Sequence, residues 1–308
     1  MKKLLNVRIG GIKQSIYVAG ENNGNPLILM LHGGPGYPLM PFSHIFHKLE
    51  KEFIVAYWDQ RGAGKTYSEE TPSNTMNLET FIKDTYEVIQ FLKAEYGKER
   101  IFLAGHSWGS ILGINIAYQH PSEIYAYIGI SQVANYVKGN NISYQFALKT
   151  AKEKNMADML EKLIELGEPP YKEAADMSLL SSCIYEFGGA YHVPVDDDSI
   201  IRNSQIYNRF DIECIDKGME FTSNYLLKVI GKVNLVEEGK IKFNIPIIFL
   251  GGKYDYIVPA EVTLEYYEIL DAPMKEFIWL NESAHFCYLE ETENFINDLL
   301  YIKEKYYY

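Results

Sequence analysis

The stretch Ile101-Phe102-Leu103-Ala104-Gly105-His106-Ser107-Trp108-Gly109-Ser110-Ile111 decides how this chain is read. Ile101–Leu103 is a compact apolar run of the kind that forms a strand buried on both faces. A helical run continues from the serine to Gln119. Ser107 sits between them, with Gly105 and Gly109 two residues away on either side. A serine hydroxyl is a weak nucleophile at neutral pH, and a sharp strand-to-helix turn holds it out where chemistry can reach it. Glycines on both sides let strand, turn and helix pass closely around it. The helix also aims the positive end of its dipole at the place where an oxyanion would form. Gly-x-Ser-x-Gly occurs by chance in unrelated proteins, so its setting between strand and helix carries the weight.

Reading outward, Val7–Ile9 and Ser15–Ala19 predict a short hairpin around Gly10-Gly11. Leu27–Leu31 and Phe53–Trp58 predict buried strands, and Tyr125–Ile130 another. Phe81, Ile82, Val88, Ile89 and Leu92 recur near helical spacing over Leu78–Tyr96, with Asn77 as the cap. From about Ala134 to Lys240 the pattern turns helical and polar. Strand and helix then alternate again: Pro246–Leu250, Pro259–Leu270, Lys275–Leu280 and Glu290–Lys305. Such alternation implies α/β architecture, a mainly parallel sheet with helices on both faces. With the serine turn it resembles the α/β-hydrolase fold, here a core of residues 1–133 and 241–308 with a helical cap inserted at 134–240. The terminal Tyr306–Tyr308 reads as frayed.

The chain order expected of that fold is serine, acid, histidine, with the last two following later strands. Of seven histidines, His192 and His285 lie far enough beyond Ser107. His192 falls in the insert, whereas His285 follows strand Lys275–Leu280 after a short loop, so His285 is the expected base. Asp255 is the first carboxylate after strand Pro246–Leu250 and is the expected partner of the imidazole. Its competitors are placed less well: Asp271 follows a helix, and Glu282 shares the histidine's own loop. An oxyanion needs two backbone N–H donors. Trp108, next after the serine, supplies one. Gly34, in the loop His32-Gly33-Gly34-Pro35-Gly36, supplies the other.

The same residues carry a family resemblance. His32–Gly36, Asp59-Gln60-Arg61-Gly62-Ala63-Gly64 and Gly105–Ser110 resemble the prolyl aminopeptidase (proline iminopeptidase) branch of the α/β-hydrolases. Gly251-Gly252-Lys253-Tyr254-Asp255 and Ser283-Ala284-His285 are similar to that family's acid and histidine loops. The likeness covers roughly residues 25–130 and 245–300. It implies hydrolysis through an acyl-enzyme with no metal or organic cofactor, acting on a small peptide or small acyl substrate. In that family, glutamates of the helical cap hold the substrate's free amine, and a small pocket takes its N-terminal proline. The cap of this chain lacks the family's Glu-Asn-His-Tyr-Phe-like stretch, which leaves Glu186 and Glu213 as the expected amine anchors.

Composition narrows the field. The formal net charge of −12 repels phosphate backbones and argues against nucleic-acid binding. It fits a cationic substrate, or solubility alone. No segment approaches the roughly 20 apolar residues of a membrane span, and Asn6 and Arg8 break the short apolar start, so a soluble cytoplasmic protein is expected. Cys183, Cys214 and Cys287 lack metal or disulfide spacing and read as buried thiols. Asp59 and Arg61 are expected to pair with each other. His44 and His47 share a helical face without a third metal ligand. His106 is expected to point away from Ser107 into packing, and most of the 25 tyrosines are expected in the core or half-buried. Three functions remain: an aminopeptidase, an esterase, amidase or lactonase on small acyl groups, and a non-catalytic binder on the same fold. The composition leaves the oligomeric state open.

Overall fold

The computed structural model describes residues 1–307. Its chain-order elements begin with strands β1 (Lys2–Ile9), β2 (Ile12–Ala19), β3 (Leu27–Leu31) and β4 (Ile54–Asp59). Helix α1 (Leu78–Tyr96), β5 (Ile101–His106), α2 (Trp108–Gln119) and β6 (Ile124–Ile130) follow. Five helices come next: α3 (Tyr136–Glu153), α4 (Ala157–Leu166), α5 (Ala174–Glu186), α6 (Asp197–Arg202) and α7 (Arg209–Ile230). The chain closes with β7 (Ile247–Gly252), α8 (Ala260–Ile269), β8 (Lys275–Leu280), α9 (Cys287–Glu290) and α10 (Thr292–Tyr306).

The strands form one sheet in the order β1-β2-β4-β3-β5-β6-β7-β8. β1 and β2 pair antiparallel, as do β2 and β4, and every later pairing is parallel. Side chains of a strand alternate between faces, and this divides the core in two. Leu27, Leu29 and Leu31 join Ile101 and Leu103 in a cluster with α1 and α2. Ile28 and Met30 join Phe102 and Ala104 on the other face, against Phe42 and Phe46 and the buried side of α10. Burial on both faces explains why β3, β4, β5 and β7 read as continuous apolar runs. Helix α1 starts where Asn77 Oδ1 accepts the Thr80 N–H at 3.0 Å and ends at Gly97.

The sequence underestimates the β1 edge of the sheet and the order at the end of the chain. β1 begins at Lys2, because an edge strand half in water is held by its backbone ladder to β2 and needs no apolar pattern. The expected final helix, Glu290–Lys305, is found as α10 with its start moved to Thr292, and the short α9 precedes it. Tyr306 is not frayed: it is 2% exposed and donates its hydroxyl to Glu276. Tyr307 packs edge-on against Tyr125, with ring centres 5.2 Å apart, and Tyr308 lies outside the described residues. The three cysteines are buried and unpaired.

The helices between β6 and β7 enclose a small apolar cluster of their own, including Tyr144, Leu163, Met177, Leu180 and Phe187. They are also tied to the sheet domain. Thr222 of α7 donates to the Pro35 carbonyl at 2.9 Å, and a Cβ on Gly218 would lie 2.6 Å from the Gly62 carbonyl oxygen. No helix among the described residues is long and apolar enough to cross a membrane.

The expected Asp59–Arg61 pair does not form. Arg61 instead reaches Asp84 of α1, with Nε to Oδ2 at 3.0 Å and Nη2 to Oδ1 at 3.1 Å. The Asp59 carboxylate is taken by Lys65 N and the Tyr207 hydroxyl, while Arg61, two residues beyond the end of β4, turns its guanidinium back beneath the β1–β2 hairpin, where it also donates to the Gly10 carbonyl. Both side chains are fully buried. Removing one partner of such a pair leaves an uncompensated charge, a loss of about 3–5 kcal/mol. Asp84→Ala is therefore expected to lower the unfolding free energy extrapolated from urea titration by that much; a loss below about 1 kcal/mol would contradict the assignment.

Candidate active site

Strand β5 lies between β3 and β6, and its C-terminal end delivers Ser107 into a cavity of about 610 Å³. Ser107 has φ 51° and ψ −116°, a conformation that costs a side-chain-bearing residue about 1–3 kcal/mol. Surrounding contacts hold it there. The Ser107 N–H donates to the Ile130 carbonyl at 3.0 Å, and its carbonyl accepts from Ser110 Oγ at 2.6 Å and Ser110 N at 2.9 Å. The two flanking glycines are required by close approach: a Cβ on Gly105 would lie 2.4 Å from the Gly109 carbonyl oxygen. One on Gly109 would lie 2.4 Å from that of Leu31.

His285 lines the same cavity and is 4% exposed. Its Nδ1 is 2.9 Å from Asp255 Oδ2, which puts the proton on Nδ1 and leaves Nε2 as the free ring nitrogen. The other carboxylate oxygen of Asp255 accepts from Ile257 N at 2.9 Å and Val258 N at 2.8 Å. The turn after β7 thus orients the carboxylate, and the carboxylate orients the ring. Ser107, His285 and Asp255 come from three separate strand ends, in the chain order expected.

His106 does pack, but also bonds. Its Nε2 donates to the His285 carbonyl oxygen at 2.9 Å, and its ring lies over that of His285 with centres 4.6 Å apart. Burial and the neighbouring His285 hold His106 well below the usual imidazole range, so it stays a neutral donor. The residue beside the serine therefore helps to place the histidine. Motif reading does not reveal this, since the two are 179 residues apart.

The loop His32–Gly36 closes over the serine. Gly34 has φ 107°, in the left-handed region that favours glycine, and a Cβ there would sit 2.6 Å from Gly36 N and Tyr37 N. It lines the cavity with Ser107. Trp108 is the first residue of α2, so its N–H has no carbonyl one turn back within the helix. His32 fixes the loop: its Nε2 accepts from Gln60 N at 3.1 Å, so Nδ1 carries the proton and donates to the Gly33 carbonyl at 2.9 Å. Burial lowers its pKa to about 4, which keeps that arrangement across ordinary pH. Gln60 completes the wiring, bonding the His32 carbonyl and accepting from Trp108 Nε1 at 2.9 Å.

The expected amine anchors lie elsewhere. Glu186 and Glu213 are exposed on α5 and α7 and neither lines the cavity; Glu213 pairs with Arg209 at 3.3 Å instead. They follow solvent-facing positions of their helices, which residue type alone does not reveal. The acids at the cavity are Asp197, Asp198 and Asp216. Asp197 is the most firmly held. Tyr37 and Tyr191 donate to its Oδ2 at 3.0 and 2.9 Å, and Asp198 N donates to its Oδ1 at 3.0 Å. Burial and the nearby carboxylate raise both phenols, which therefore remain O–H donors. The acidic run Asp196–Asp198 was visible in the sequence, but nothing there pointed it at the serine. His44 and His47 bond the nearby carbonyls of Pro41 and His44. The described residues hold no cluster of metal-ligating side chains.

The sheet order and the strand-to-helix turn at Ser107 are those of the α/β-hydrolase fold. Residues 25–292 match the family described as serine aminopeptidase, S33, and the chain belongs to that family. A probable aminopeptidase of Bacillus subtilis, YbaC, is 35% identical over 94% of this chain and 93% of its own length. A proline iminopeptidase of Heyndrickxia coagulans is 25% identical over 94% of each. Among solved structures, the proline iminopeptidase of Mycobacterium smegmatis superposes with a TM-score of 0.72 at 16% identity, covering 99% of this chain and 98% of that one. At that identity the likeness speaks to the fold.

Asp59 supplies a pH test of how the helices are held to the sheet. Its Oδ2 accepts from Lys65 N at 2.8 Å and from the hydroxyl of Tyr207, which lies between α6 and α7. Burial pushes its carboxyl up to about 7, against the pull of those two bonds. The unfolded carboxyl titrates near about 4. Stability from this group is thus complete below about pH 4 and is lost as pH rises through about 7. Between about pH 5 and 8, wild type should lose on the order of 2–3 kcal/mol of unfolding free energy that Asp59→Asn does not lose. Parallel pH dependence in the two proteins would contradict this.

Proposed function

We propose that this protein is a serine aminopeptidase that releases an N-terminal residue, preferentially proline, from short peptides through an acyl-enzyme. The observation that carries the reading is the placement of the Asp197 carboxylate in the same cavity as Ser107 and His285. An aminopeptidase must hold a free ammonium group at a fixed distance from the serine. A carboxylate locked by two phenols and a backbone N–H suits that task, since little side-chain entropy remains to be lost on binding.

In this reading the helices from 134 to 240 form the cap, and Ser107 Oγ attacks the carbonyl carbon of the first peptide bond. His285 Nε2 takes the hydroxyl proton, and Asp255 stabilises the imidazolium. The carbonyl oxygen becomes an oxyanion facing the N–H groups of Gly34 and Trp108. Collapse breaks the C–N bond, and His285 returns the proton to the departing amine. Water, deprotonated by the same imidazole, then releases the residue from Ser107. None of these steps calls for a metal or organic cofactor, and the substrate is a short peptide rather than a nucleic acid or membrane.

The apolar walls contributed by Met177, Ile201, Ile215 and Met219 would also take a small acyl ester, and one pair of assays separates the readings. Proline β-naphthylamide should be cleaved and its N-acetylated form left intact. Asp197→Asn should raise KM for the free-amine substrate by about ten- to a hundredfold, the worth of one charge-assisted hydrogen bond. Hydrolysis of p-nitrophenyl acetate should stay within about twofold of wild type. Turnover of esters alone, with no aminoacyl amide cleaved, would replace the peptidase by an esterase.

A further inference from the structure

The helices inserted between β6 and β7 do more than line the cavity. Between α5 and α6, residues 189–193 run as a strap across the two loops that carry Asp255 and His285. Tyr256 N donates to the Gly189 carbonyl at 2.9 Å, and His285 N donates to the Ala190 carbonyl at 3.0 Å. The rings follow the backbone: His192 stacks on Tyr254 with centres 3.6 Å apart, and Phe146 of α3 stacks on Tyr256 at 3.7 Å. The residues on both sides of Asp255 are thus covered by rings from the inserted segment.

One carboxylate clips this strap to the histidine loop. Glu290, the last residue of α9, accepts from His192 N at 2.6 Å and Val193 N at 2.8 Å on Oε1. Its Oε2 accepts from Ala284 N at 2.8 Å, immediately before His285. Three backbone N–H groups from two loops distant in sequence, at 192–193 and 284, therefore converge on a single half-buried side chain. Bonds to a charged acceptor are about twice as strong as neutral ones. We infer that Glu290 is a positioning residue of the serine reaction: by joining the strap at 192–193 to Ala284, it fixes the backbone from which the His285 imidazole reaches Ser107. The inference rests on the reading of Ser107 and His285 given above.

The clip has a further consequence. His285 is held from the core side by His106 at its carbonyl and from the inserted segment by Ala190 at its N–H. Movement of the strap would carry the imidazole with it, so the position of the helices above the cavity and the readiness of the serine are linked through Glu290.

Glu290→Gln keeps the size of the side chain but has one acceptor oxygen, so one side of the clip must face an amide NH2. Glu290→Ala removes both sides. The probe is a fluorophosphonate, which reports serine activation without any amine requirement. Its maximal labelling rate kinact should fall about tenfold in Glu290→Gln and further in Glu290→Ala, with KI unchanged, since a misplacement of about 1 Å costs up to a hundredfold. Measurement well below each variant's Tm keeps global unfolding out of the readout. If Glu290→Ala does not fold, Glu290→Gln decides. Wild type that labels while folded Glu290→Gln labels at the same kinact overturns this inference alone. Wild type that never labels overturns the reading of Ser107 and this inference with it.

Discussion

The site depends on one backbone constraint, the positive φ at Ser107. A serine does not adopt that conformation unaided, and here each neighbour in the sheet contributes to imposing it. β6 offers the Ile130 carbonyl to its N–H, and α2 returns Ser110 to its carbonyl. β3 leaves room for α2 only because Gly109 has no side chain to meet the Leu31 carbonyl. Strain of this kind persists when the surroundings over-determine it, and the fully buried strands β3 and β5 supply that rigidity.

Around that fixed point the other groups are set by bonds between backbone and buried neutral imidazoles. His32 secures the Gly33–Gly34 loop, and His106 secures the carbonyl of His285. Burial keeps both rings uncharged, so neither arrangement depends on the proton traffic expected at His285. The segment between β6 and β7 completes the frame through Thr222, Tyr207 and the strap at 189–193. Cavity and machinery are therefore mechanically continuous, because the segment that carries Asp197 is the one that braces His285.

Legibility in the sequence followed burial. Strands covered on both faces declared themselves as apolar runs, and α1 showed its face and its Asn77 cap in the spacing of residues. The serine, histidine and acid were legible because a strand end followed by a loop is a local signal. What could not be read was the choice of partner between distant segments. Arg61 selects Asp84 over the nearer Asp59 for reasons of direction that appear only once the hairpin covers it. Glu186 and Asp197 offer the same carboxylate; the helical turn that exposes one and the tyrosines that hold the other decide between them. The edge strand β1 and the buried Tyr306 escaped for the complementary reason, since backbone pairing and one hydroxyl bond leave no periodic trace.

Whether Ser107 is an activated nucleophile is tested most directly by covalent labelling with a fluorophosphonate followed by peptide mass spectrometry. One label per folded wild-type chain is expected, carried by the peptide containing Ser107. Ser107→Ala should take none, and the labelling rate should fall by as much as about 10⁴-fold in Asp255→Asn, where the imidazole takes the wrong tautomer. Folded wild-type protein that takes up no label, or a label that persists in Ser107→Ala, would contradict that role for Ser107.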